Sequence, residues 1–147
     1  MVLEIRLENF FSINEEVVLD MRAARIQTKK AVELEGNTFA CNDERMLKSV
    51  AIYGANASGK SNVIKAIRAC VQMIFESHNY NENTVFGFTP FKFGGIGRPS
   101  RFLIRFLIDG IEYEYSFSMT QLEIITEELY YYPHGRRSLV FARDERK

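Results

Sequence analysis

From Met1 to Phe10 the apolar residues Val2, Leu3, Ile5, Leu7 and Phe10 interleave with Glu4, Arg6 and Glu8, an alternation that predicts a half-buried strand. Glu16 to Met21 has the make-up of its antiparallel partner, and the polar Ser12-Ile13-Asn14-Glu15 turns between them. Residues 22 to 46 are rich in charge, with a short strand around Thr38 to Cys41 and a polar link through Asn42-Asp43-Glu44. Leu47 to Tyr53 is a short apolar run of the kind that forms a buried parallel strand. Beyond it Val63, Ile64, Ile67, Cys70, Val71, Ile74 and Phe75 recur at intervals of three and four, the spacing of one apolar helix face, with Lys65 and Arg68 off the stripe.

After this helix the chain changes character. Ser77 to Asn83 is polar, Phe91 to Pro99 is rich in glycine, and the two bracket a short segment from Val85 to Phe91. Phe102, Ile104, Phe106 and Ile108 then alternate up to Asp109-Gly110, and Ile111, Tyr113, Tyr115, Phe117 and Met119 alternate after it. Asp-Gly between two alternating runs predicts a hairpin with a type I′ turn. A second hairpin follows from Ile124 to Tyr132, through Pro133-His134-Gly135, to Leu139 to Phe141. The second half therefore reads as antiparallel sheet, with a β-hairpin unit over residues 100–143.

Between the apolar run and the helix stands Gly54-Ala55-Asn56-Ala57-Ser58-Gly59-Lys60-Ser61, the pattern G-x-x-x-x-G-K-[ST] of a phosphate-binding loop. Such a loop aims backbone N–H groups at an anion, and Gly54 and Gly59 give the chain room to approach it. The candidate nucleotide-binding residues are Gly54, Asn56, Ala57, Ser58, Gly59, Lys60, Ser61 and Asn62. Lys60 is the candidate catalytic residue, a compact positive charge for the β- and γ-phosphates, and the Ser61 hydroxyl is the candidate Mg²⁺ ligand. A glycine-rich turn with a surface lysine is the plainer reading, but strand before and helix after are the setting that a phosphate loop requires.

Composition adds limits rather than direction. The 147 residues suit one domain, and an apolar fraction of 46% permits a real core. Nineteen basic and nineteen acidic residues cancel, so nothing global pulls the chain toward nucleic acid or an anionic membrane. No apolar run approaches membrane-spanning length and no targeting signal opens the chain, which points to the cytoplasm. Cys41 and Cys70 lack metal-ligand spacing and read as free thiols. His78 and His134, the only histidines, read as solvated loop residues.

A phosphate loop followed by antiparallel hairpins is unlike a small kinase or GTPase, where helices and parallel strands would alternate. Leu7-Glu8-Asn9-Phe10-Phe11-Ser12-Ile13, the loop Gly54 to Asn62, and Tyr113-Glu114-Tyr115-Ser116-Phe117 together resemble the AAA15/AAA21-type ATPases. These have ABC-like heads related to RecF and to structural-maintenance-of-chromosomes proteins, and are common in bacterial anti-phage and abortive-infection systems. The resemblance implies an α/β fold: the N-terminal lobe of an ABC-like P-loop NTPase head, with a mixed sheet around the Walker A helix and an antiparallel β subdomain. It implies ATP and Mg²⁺ as ligands, and places Phe11, Ser12 and Asn14 where related heads approach the nucleotide base.

The resemblance also implies a Walker B strand, a signature segment and a switch histidine, and none is recognisable. Glu127-Glu128 is a poor Walker B, being preceded by too short an apolar run, and Gln121 sits in a turn without the expected continuation. ATP binding is expected of the chain, and efficient turnover only in a complete head dimer. The implied partners are a second head in a homodimer or the remaining C-terminal lobe, with a nuclease effector and DNA as further candidates and no membrane. A RecF-type repair head and a non-hydrolysing nucleotide-sensing module are the alternatives. Tyr130-Tyr131-Tyr132 beside Arg136 and Arg137, and the set Arg22, Arg25, Lys29 and Lys30, could contact nucleic acid; an aromatic hairpin and solvated charge are the simpler readings.

Overall fold

A computed structural model of the chain describes residues 1–24, 35–41, 44–81 and 83–144. Strands β1 (Val2–Glu8), β2 (Val17–Asp20), β5 (Ser100–Ile108), β6 (Ile111–Met119), β7 (Ile124–Tyr132) and β8 (Ser138–Asp144) form one six-stranded sheet in the order β2-β1-β5-β6-β7-β8. Every pairing in it is antiparallel. A second, two-stranded sheet joins β3 (Thr38–Cys41) to β4 (Glu44–Leu47), and a bridge between Arg22 and Met46 ties it to the end of β2. Among the described residues one α-helix, α1, spans Lys60–Glu76.

Alternation sets which face of the sheet is buried. Leu3, Ile5 and Leu7 of β1, Phe102 and Ile104 of β5, and Tyr115 and Phe117 of β6 are all at least 95% buried. All of them except Leu3 meet Ala66, Cys70 and Met73 of α1 in one core cluster. Each such apolar side chain removed from water contributes about 1.5–3 kcal/mol, and Phe102 stacks on Phe117 with centroids 4.8 Å apart. The opposite face carries charge, and its two buried carboxylates are satisfied: Glu4 by Arg6 and Arg22, Glu114 by Arg105, Arg137 and the Tyr132 hydroxyl.

The turn chemistry agrees with the expectation. Asp109 and Gly110 have φ of 49° and 79°, both positive as a type I′ turn requires, and they join β5 to β6. The β7–β8 hairpin turns through Pro133–Gly135. The early hairpin β1–β2 and the short strand at Thr38–Cys41 are also present. Of the basic set, Arg25, Lys29 and Lys30 lie outside the described residues, as do Asn42 and Asp43 of the polar link.

Three expectations need correction. The sheet beside α1 is antiparallel throughout rather than mixed, because every strand in it pairs with neighbours running the opposite way. The run Leu47 to Tyr53 is not a buried parallel strand: Leu47 ends β4, and Val50, Ile52 and Tyr53 are 41%, 39% and 90% exposed. Such a strand is stabilised by ladder bonds to flanking strands and by cover on both faces, and among the described residues the segment 49–53 shows neither. The third correction concerns the helix. Its apolar residues form two faces rather than one: Ala66, Cys70 and Met73, with Val63 and Ile67, pack on the sheet, whereas Ile64, Val71 and Phe75 are 59%, 40% and 70% exposed.

Candidate functional site

The glycine-rich loop leads directly into α1. Lys60 is the first helical residue and Gly59, at φ 96°, stands at the N-cap. The first turn of a helix has N–H groups with no intrahelical partner. Here no side chain caps them and no acidic residue occupies the first turn. The end of α1 is thus a positive dipole terminus with free donors, the arrangement that binds anions.

Both motif glycines stand close to serine hydroxyls. A Cβ on Gly54 would lie 2.5 Å from Ser58 Oγ, and one on Gly59 would lie 2.8 Å from Ser12 Oγ as well as demanding a left-handed backbone. Ala57 also has positive φ, 62°, a conformation that costs a non-glycine residue about 1 kcal/mol. Lys60 folds over its own loop, its Nζ donating to Gly54 O at 2.7 Å and Ala55 O at 2.6 Å. The ammonium therefore covers the mouth of the loop, held by charge-assisted bonds to two uncharged carbonyls, and a full anionic charge would attract it more strongly.

A second segment docks on this loop, and it comes from the far end of the chain's first half. Asn62 Nδ2 donates to Ser12 Oγ at 2.8 Å, and Lys65 Nζ sits 4.7 Å above the Phe11 ring. Asn14 lies one step away, accepting from Arg98 at 2.9 Å. Of Phe11, Ser12 and Asn14, the first two reach α1. From Phe11 a groove of about 530 Å³ runs along the helix, walled by Phe10, Tyr80, Phe86 and Phe88 and edged by Lys65 and Arg68.

Asn9, which sequence reasoning did not single out, organises this end of the sheet. It is 1% exposed with φ of 55°. Its Nδ2 donates to Gly95 O at 3.0 Å and Arg98 O at 2.8 Å, while its Oδ1 accepts from Phe91 N at 2.9 Å. The Gly-rich loop is thereby fixed beside the Phe11–Ser12 turn, whose Phe11 N–H donates to Thr89 O at 2.8 Å. The available signal was an asparagine opening a turn, the residue type most tolerant of left-handed backbone after glycine.

Other candidates have internal roles. Glu127 lies within β7, accepts from the Tyr115 hydroxyl at 2.5 Å and pairs with Arg143 at 3.2 Å, so it is a sheet residue and no Walker B carboxylate. Gln121 donates to Phe88 O at 2.5 Å and anchors the 86–88 segment. Arg137 stacks on Tyr130 at 3.4 Å while bonding Glu114 at 2.6 Å. Arg22 is held by Glu4 and Glu44. Among the described residues no group of histidine, cysteine and carboxylate side chains could hold a metal, and no helix is long and apolar enough to cross a membrane. Burial pushes the Cys70 thiol up to about 12, which removes it from chemistry at neutral pH.

An α/β chain whose helix α1 opens on an uncapped, glycine-rich, lysine-bearing loop falls in the class of nucleotide-binding domains. The profile of the family described as "AAA domain, putative AbiEii toxin, Type IV TA system" matches residues 49–146, two thirds of the chain from before the loop to the end of β8. The chain belongs to this AAA family, whose domains are nucleotide-binding and ATPase-like. A comparison with curated proteins finds no significant match.

Proposed function

We propose that the chain binds ATP with Mg²⁺ at residues 54–62, as the nucleotide-holding lobe of an ATPase head. The observation that carries this reading is the uncapped N-terminus of α1, with Gly54 and Gly59 beside the Ser58 and Ser12 hydroxyls and Lys60 resting on the loop carbonyls. The donor set suits a triphosphate: N–H groups and the Lys60 ammonium for the phosphate oxygens, the Ser61 hydroxyl for the metal. Bound Mg²⁺ would neutralise charge on the β- and γ-phosphates. Asn56, Ala57, Ser58 and Asn62 shape the loop around them, and the groove beginning at Phe11 offers aromatic walls to the base.

The exposed apolar residues support a partner for this lobe. Ile64, Val71 and Phe75 on α1, with Val50 and Ile52 on the segment before the loop, suit a covering layer that adds strands beside residues 48–53 and packs on the free helix face. The C-terminal lobe of the same head fits that role, and a second head would then close over the nucleotide. On this reading the chain alone binds without efficient turnover, and the family's toxin–antitoxin description favours a phage-defence setting with a nuclease effector over DNA repair.

The test is binding of a fluorescent ATP analogue with Mg²⁺, with EDTA and Lys60→Ala as controls, and phosphate release followed in the same samples. Saturable, metal-dependent binding lost in Lys60→Ala, without turnover, is expected. Equal binding by Lys60→Ala would overturn the assignment of the loop.

A further inference from the structure

We infer that Lys65, held over the Phe11 ring, forms with it a clamp for the nucleoside half of the bound nucleotide, so that affinity depends on the base as well as on the phosphates. This clamp presupposes the nucleotide site proposed at residues 54–62 and adds to it a lysine outside the loop. Lys65 stands one helical turn beyond Ser61, on the same side of α1. Its Nζ lies 4.7 Å from the centroid of the Phe11 ring, a cation–π contact that joins α1 to the turn after β1. Both residues line the groove of about 530 Å³ that runs along the helix.

Helix stability does not account for a lysine at this position. A helix favours acidic residues near its N-terminus and basic ones near its C-terminus. The sequence of α1 runs the other way, with Lys60, Lys65 and Arg68 in its first half and its one acid, Glu76, in the last place. The residues three and four positions from Lys65 along the helix are Ser61, Asn62, Arg68 and Ala69. None carries an opposite charge, and Arg68 opposes it with a like one. An anionic ligand at this end of α1 turns that charge order from a cost into a gain.

The two halves of the clamp differ in freedom. The half-buried Phe11 ring meets Phe10 edge to face with centroids 4.7 Å apart, and its backbone N–H donates to Thr89 O at 2.8 Å. Its neighbour Ser12 accepts from Asn62, so the whole turn is fixed against α1. Lys65 is exposed and reaches the ring on a flexible four-carbon stem. Adenine offers an ammonium the same kind of π face as Phe11, and adds ring nitrogens that accept hydrogen bonds. A bare phosphate chain offers neither. The pair therefore distinguishes a nucleoside triphosphate from a polyphosphate of equal length, a distinction that the loop alone, built for phosphates, does not make.

The experiment is calorimetric titration of the full chain with Mg²⁺-ATP and, separately, with Mg²⁺-tripolyphosphate. Lys65→Met keeps the stem and removes the charge. It should weaken ATP binding by about three- to thirtyfold and tripolyphosphate binding by less than about threefold. Lys65→Arg should restore the affinity for ATP, because a guanidinium also binds ring faces. Phe11→Leu should show the same selectivity, and adding Lys65→Met to it should cost little more, since the two side chains act as one unit. Lys60→Ala should weaken both ligands. An equal loss of ATP and tripolyphosphate in Lys65→Met would make the lysine a general phosphate cation or a support for the turn, and would overturn the clamp. ATP affinity unchanged in Lys65→Met but lost in Lys60→Ala would overturn it too, and in both cases the loop assignment stands. Binding indifferent to Lys60→Ala would overturn the reading of the loop and the clamp with it.

Discussion

Replacing Asn9 by alanine tests whether one buried amide holds the end of the sheet that faces the phosphate loop. The substitution removes the donors to Gly95 O and Arg98 O and the acceptor for Phe91 N. Gly95 is buried, so its carbonyl is left without a partner at a cost of about 1–3 kcal/mol, and the two bonds nearer solvent are worth about 0.5–1.5 kcal/mol each. Holding alanine at φ 55° adds about 1 kcal/mol that asparagine largely escapes. The expected loss is about 3–7 kcal/mol, a large part of the 5–15 kcal/mol typical of a whole domain. Urea unfolding measures it as a fall in midpoint at unchanged slope. Asn9→Gly should recover about 1 kcal/mol by relieving the backbone term alone. Gly95→Ala should disrupt the same contact from the other side, since its Cβ would lie 1.9 Å from Asn9 Oδ1 and 2.5 Å from Phe91 O. A loss below about 1 kcal/mol in Asn9→Ala would refute the reasoning, because the loop would then be held by something else.

Three further outcomes follow from the geometry. Burial works to raise the Glu114 carboxyl, but hydrogen bonds from Arg137, Tyr132 and Arg105 outweigh it and hold the group below its ordinary value. The stability it confers is therefore complete above the unfolded carboxylate pKa and is lost as pH falls through the folded one. Glu114→Gln should destabilise by about 2 kcal/mol at neutral pH, with the gap to wild type closing in acid; a gap constant from pH 7 to 3 would contradict this. Cys70 is fully buried and Cys41 partly open, so a thiol reagent should modify one cysteine in the native chain and the second only on unfolding. Gly110→Ala, at φ 79°, should cost about 1 kcal/mol in the thermal unfolding free energy, whereas Gly36→Ala, with nothing near its Cβ and ordinary φ, should cost little.

Much of this protein was legible in the order of its residues. The alternation in Val2–Glu8 and in Ser100–Met119, the Asp109-Gly110 turn, the helix after Gly59 and the lysine at its mouth all depend on interactions spanning a few residues. Periodicity and turn chemistry encode such features directly. Tertiary structure alone decided the rest. Strand β1 inserted between β2 and β5, nearly a hundred residues later, and this made the sheet antiparallel beside the helix. Only one of two apolar helix faces met that sheet. The apolar run before the loop stayed uncovered, since apolar sequence provides the capacity for burial while a long-range neighbour must supply the surface. Asn9 became the hub of its loop for the same reason: its partners at Phe91, Gly95 and Arg98 are reached only once β1 and β5 lie side by side.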